Sequence, residues 1–170
     1  MSSSDTFIDG SAFMAMHSGD ESVRRSFKDF FVHRLGDNGR VVLNLEQVGW
    51  CDNLVWQYSR EVQDAYYPFM DNLHTDMRID RIGYSDSDLA AAVNPVLAGL
   101  TLTQRLLLGQ VVNRGGTLVT ADPALLARTG LPLTPLPPQP REPVFPGLLE
   151  PLYQDSLALR VSPSRPEEQS

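Results

Sequence analysis

Apolar and polar positions along the chain alternate between two periods. Thr6-Phe7-Ile8 is a short apolar run closed by Asp9-Gly10-Ser11, the pattern of a buried strand that stops at a turn before a helix. From Glu21 to Leu35, Val23, Phe27, Phe30, Phe31 and Leu35 recur at steps of three and four, which predicts an amphipathic helix ended by Gly36-Asp37-Asn38-Gly39. Arg40 to Leu43 is too short and too β-branched for a helix and reads as a second buried strand. Asn44, with Gln47 three residues on, caps a long helix whose apolar positions run through Val48, Cys51, Val55, Tyr58, Val62 and Phe69 to Leu73. Pro68 is expected to kink or divide it, because proline removes a backbone donor and clashes with the preceding turn.

The second half repeats the alternation. Ile79 to Tyr84 predicts a strand, and Ser85-Asp86-Ser87-Asp88 caps a helix running toward Leu97 with Pro95 near its end. Thr101 to Asn113 is the next helix, stopped by Gly115-Gly116. Thr117 to Thr120 is a strand, and Asp122-Pro123 opens a last helix to Arg128. Strands alternating with helices predict an α/β fold: a three-layer α/β/α sandwich around a central, mostly parallel sheet, with ligands outside the carboxyl ends of the strands.

Composition marks a boundary. Of 13 prolines, ten lie between Leu131 and Ser170, so the chain divides into an α/β domain, residues 1–130, and a proline-rich C-terminal extension, residues 131–170. Phe145, Leu148, Leu149, Leu152, Tyr153, Leu157 and Leu159 are too apolar for a free linker, and this stretch is expected to lie across the domain or a partner. Ser162 to Ser170 has the composition of a disordered end. The excess of Arg over Lys, which occurs only as Lys28, together with abundant Ala, Gly and Pro, points to a GC-rich bacterial coding sequence.

A net charge of −7 argues against binding nucleic acid by general attraction to phosphates. Cys51 is the only cysteine, which excludes an internal disulfide, and His17, His33 and His74 lack zinc spacing. Any metal would therefore be hard and oxygen-ligated. No apolar run of about 18 residues is present to span a membrane, and Met1 to Asp5 does not resemble a secretion signal, so a cytoplasmic location is expected.

Asp9 ends the first strand, Asp122 follows the strand Thr117 to Thr120, and Glu46 lies in the first turn of the helix after the second strand, so all three are expected at one edge of the sheet. Carboxylates brought together repel unless a cation screens them, which favours Mg²⁺ or Mn²⁺ and metal-assisted hydrolysis of a phosphodiester. The order of these residues resembles the PIN family of nuclease domains over about Phe7 to Ala127. The matching pieces are Phe7 to Phe13, Glu46, and the closing helix, strand and acid from Thr101 to Asp122. The resemblance implies a metal-dependent ribonuclease with Asp9, Glu46 and Asp122 as catalytic and metal-binding residues and single-stranded RNA as substrate. The family's fourth acid is replaced by Gln104, a weak ligand at most, so a second expectation stands beside the first: a catalytically inactive PIN-like binding or scaffold protein in a bacterial biosynthetic or regulatory complex, with a protein partner or a second copy of itself.

Each candidate also has a purely structural reading. Thr101 and Gln104 form a capping box, Asp9 and Asp122 are good caps, and Glu46 is favoured by the helix dipole. Arg24, Arg25, Lys28 and Arg34 are expected on a solvated helix face, Cys51 in packing, and Trp50, Trp56, Tyr58, Tyr66 and Tyr67 in the core or an interface. Asp86 and Asp88 are expected to cap a helix rather than replace the missing acid.

Overall fold

The computed structural model describes residues 4–161. The chain runs through strand β1 (Thr6–Ile8), helices α1 (Gly10–Ala15) and α2 (Glu21–Gly36), strand β2 (Val41–Asn44), helices α3 (Leu45–Val55) and α4 (Arg60–Asp76), and strand β3 (Ile79–Ile82). It continues through helix α5 (Asp86–Ala91), a 3-10 turn (Pro95–Leu97), helix α6 (Leu102–Asn113), strand β4 (Thr117–Val119), and helices α7 (Pro123–Leu126) and α8 (Leu149–Ser156). The four strands pair in the order β3-β2-β1-β4, all parallel. Among the described residues no helix is long and apolar enough to cross a membrane.

Strand alternation builds the layers. Phe7 pairs with both Val42 and Leu118, and these three point to one face, where Leu97, Leu107, Leu108, Val111 and Leu125 complete a cluster. Ile8, Leu43 and Val119 point the other way, into a larger cluster with Phe13, Phe31, Phe69 and Leu73. Two apolar faces on one parallel sheet give the expected three-layer α/β/α sandwich.

Helix boundaries follow local chemistry. The Asp20 carboxylate accepts from Ser22 N and Val23 N and so caps α2, and Asn44 Oδ1 accepts from Gln47 N at 2.9 Å to cap α3. The long helix expected from Asn44 divides at Trp56–Ser59, not at Pro68. Gln57 N and Tyr58 N tighten onto Leu54 O and Val55 O, and Ser59, in extended conformation, caps a new helix at Val62 N. Pro68 lies inside α4 on its exposed side, where water can satisfy the carbonyl that loses its donor. The helix expected to run toward Leu97 ends at Ala91, and Asn94 starts the separate 3-10 turn by accepting from Val96 N.

The extension wraps the domain. Leu118 N donates to Pro132 O and Thr134 N to Leu118 O, so residues 132–134 seal the outer edge of β4. Phe145, Leu149, Tyr153 and Leu159 are buried in the same cluster as Ile8 and Phe31, with α8 packed on α4. The expectation of a solvated face for Lys28 is overturned here. Its side chain is fully buried, and its ammonium reaches Glu142 at 3.2 Å and Glu150 at 2.8 Å over the Tyr153 ring. A helix pattern alone cannot reveal that a distant segment will cover a polar stripe. The expectation for Ser162 to Ser170 lies outside the described residues.

Candidate functional site

The carboxyl edge of the sheet carries the sequence candidates. Asp9 leaves β1 in extended conformation and caps α1, and its side chain is nearly buried, at 4% exposure. Ser11 Oγ and Ala12 N donate to Asp9 Oδ1, and Thr120 Oγ1 donates to Oδ2. Gly10 is required between them: a Cβ there would meet the Trp50 ring at 2.3 Å and Cys51 Sγ at 2.8 Å, so α1 approaches α3 closely only with glycine. Burial pushes the Asp9 carboxyl up to about 6 against the pull of its hydrogen bonds, and the Asp122 charge adds to the rise.

Asp122 joins this network from the other side of β1. Its backbone N donates to Thr120 Oγ1 at 3.0 Å, and Ala121 N donates to Ser11 Oγ at 2.8 Å. Asp122 Oδ1 caps α7 by accepting from Ala124 N, while Oδ2 accepts from Gln104 Nε2 at 2.9 Å. Gln104 completes the capping box expected with Thr101: Gln104 N donates to Thr101 Oγ1, and Thr101 N donates to Gln104 Oε1 at 3.0 Å. The amide orientation is therefore fixed at both ends. Turning it over would face oxygen to carboxylate and N–H to N–H.

Glu46 stands apart from this chain of bonds. It is half-buried in the first turn of α3, next to Tyr84, whose hydroxyl accepts from Asn44 Nδ2 at 3.0 Å. Burial, and after it the neighbouring Glu46 carboxylate, hold the Tyr84 phenol well above its usual range. The fold thus brings Asp9, Asp122 and Gln104 into one connected group and leaves Glu46 on the same edge with a different neighbour.

Three further residues organise the edge. Ser11 and Thr120 bridge the two aspartates, and Gln47 Oε1 accepts from Gly10 N at 2.8 Å, tying α3 to the turn after β1. Ser11 and Thr120 stand two residues from Asp9 and Asp122 in Asp9-Gly10-Ser11 and Thr120-Ala121-Asp122, a symmetry visible in the sequence once both strands are recognised. Gln47 shows in the sequence only as the residue three past the Asn44 N-cap, the place of a capping-box partner, whereas its side chain accepts from Gly10 N instead.

As placed, these side chains do not fit Mg²⁺ or Mn²⁺. Such ions take oxygen ligands and need negative charge to hold them. Here each oxygen of Asp9 and Asp122 already accepts a hydrogen bond, Gln104 presents its NH₂ rather than its oxygen to Asp122, and no three His, Cys, Asp or Glu side chains among the described residues form a group able to hold a metal.

Asp88 behaves as expected of a cap. It is buried, completes a capping box with Ser85, and takes hydrogen bonds from Gln110, Asn113 and Arg114 that hold its carboxyl well below the usual range despite burial. Cys51 is a buried packing residue whose thiol burial pushes far up. Tyr66 is in the core, whereas Trp56 is 69% exposed at the α3–α4 joint, which leaves only the interface half of the expectation open for it.

Comparison with known sequences places the chain in a family of unknown function, DUF6190, whose profile matches residues 1–166; the chain belongs to that family. No curated protein matches it.

Proposed function

We propose that this chain is a PIN-like domain in which metal-dependent RNA hydrolysis has given way to a binding or scaffold role. The PIN-like reading is supported by the parallel order β3-β2-β1-β4 with an aspartate closing β1 and another following β4. The loss of catalysis rests on one observation: the Gln104 amide spans Thr101 N and Asp122 Oδ2, so a neutral donor stands where a divalent ion would need an acid. The acids take their hydrogen bonds from protein groups instead of binding a cation, bonds that offset only part of the cost of burying Asp9.

A second reading, a weak Mg²⁺- or Mn²⁺-dependent endoribonuclease acting on single-stranded RNA through Asp9, Glu46 and Asp122, is favoured by the proximity of Asp9 and Asp122, close enough for one charge to raise the other's pKa. Incubation with single-stranded RNA and Mn²⁺, with Asp9→Asn as control, separates the two. The proposal expects equal, background-level RNA loss for both proteins. Cleavage by the wild type that disappears in Asp9→Asn establishes the second reading.

A further inference from the structure

A cavity of about 540 Å³ opens at the opposite, amino edge of the sheet, lined by Ser4, Asp5, Thr6, Arg34, Gly39 and Arg40. Its size suits a small metabolite. The two guanidinium groups are held differently. Arg40 is paired with Asp5 and Asp80, which fixes its fork in place. Arg34 donates from one nitrogen to Thr6 Oγ1 at 2.9 Å, lies 5.4 Å over the Phe30 ring, and makes no ion pair with a carboxylate among the described residues. A half-buried guanidinium with donors to spare, lining the same cavity as a second one, is a recognition element for planar or tetrahedral oxyanions. The cavity contains two hydroxyl side chains, Ser4 and Thr6, that add donors, and one carboxylate, Asp5, that opposes an anion. The C-terminal end of α2 opposes it too, but its last carbonyls already accept from Asp37 N, Asn38 N and Gly39 N.

We propose that this cavity binds the anionic head of a small molecule, a phosphate monoester or a carboxylate, between Arg34 and Arg40. The site is separate from the carboxyl edge and does not depend on the function proposed for it.

Titration calorimetry of the full chain with inorganic phosphate, and separately with acetate, at ionic strength held constant with chloride, tests this and distinguishes the two head groups. The expected result is saturable one-to-one binding of one or both anions. Arg34→Gln should weaken it by on the order of tenfold or more, the loss of a hydrogen bond to a charged group. Asp5→Asn should tighten it, a gain of opposite sign that reads the same site should Arg34→Gln fail to fold. No saturable binding of either anion, or binding unchanged in a folded Arg34→Gln protein and not tightened by Asp5→Asn, overturns the proposal.

Discussion

At the scale of single residues, the decisive group is Asp9. Its carboxyl titrates near 6 in the folded chain against 3.8 for the free side chain, so the unfolded state ionises first as pH rises. The folded state is penalised increasingly from pH 3.8 to about 6 and fully above it, by about 3 kcal/mol at 1.36 kcal/mol per tenfold change in acidity. Asp9→Asn keeps an oxygen at Oδ1 for both Ala12 N and the Ser11 hydroxyl, while the Thr120 hydroxyl can rotate to accept from the new amide in place of donating to Oδ2. Thermal unfolding should therefore show the variant about 1–2 kcal/mol more stable than wild type at pH 7 and no more stable at pH 3.5. A variant less stable at pH 7 would mean that the charge of Asp9 is wanted. Gln104→Asp makes the complementary test: it sets a carboxylate against Asp122 Oδ2, where the amide now donates. The expected outcome is a lower melting temperature, corresponding to about 1–3 kcal/mol of lost stability and not restored by Mn²⁺.

At the scale of elements, strands and capped helices were legible because their signals are local. Phe7-Ile8, Val41 to Leu43 and Leu118-Val119 announce buried strands by composition, and Asn44, Ser85, Thr101 and Asp122 announce helix starts by cap chemistry. The break between α3 and α4 was not legible, because Pro68 is the louder signal while the actual division rests on a single serine cap and a tightened turn. Helix α8 was also hidden, since it starts without a side-chain cap, contains Pro151, and is stabilised by packing on α4. Its anchor is Lys28. Removing that ammonium leaves Glu142 and Glu150 without their shared cation, so Lys28→Ala should cost about 3 kcal/mol in denaturant unfolding, the scale for breaking a buried ion pair. A loss below about 0.5 kcal/mol would place Lys28 among surface charges after all.

At the scale of the whole molecule, opposing titrations are built into one fold. Burial lowers His17 to about 4, where its Nε2 meets Ser156 Oγ at 2.9 Å, and burial with the Arg81 charge lowers His74 to about 4. Both histidines are stabilising as neutral groups, so stability is complete above pH 6.5 and is lost as pH falls toward 4. Asp9 works in the other direction over much of that window, regaining stability as pH falls below 6. Melting temperature followed from pH 7 to pH 4 should accordingly drop more steeply in Asp9→Asn than in wild type, and equal slopes would contradict the assignment of the Asp9 shift to burial. The three-layer arrangement and the common edge of Asp9 and Asp122 could be read from the order of elements, which fixes where strand ends fall. The partner of each acid could not, because an amide turned toward Asp122 and a tyrosine beside Glu46 depend on side-chain geometry across 18 and 38 residues. The claim on which the functional reading rests, that protein hydrogen bonds rather than a cation engage the acids of this edge, is tested most directly by calorimetric titration of the full chain with Mn²⁺. Absence of saturable heat, in wild type and in Asp122→Asn alike, is the predicted result; stoichiometric binding that Asp122→Asn abolishes would contradict it.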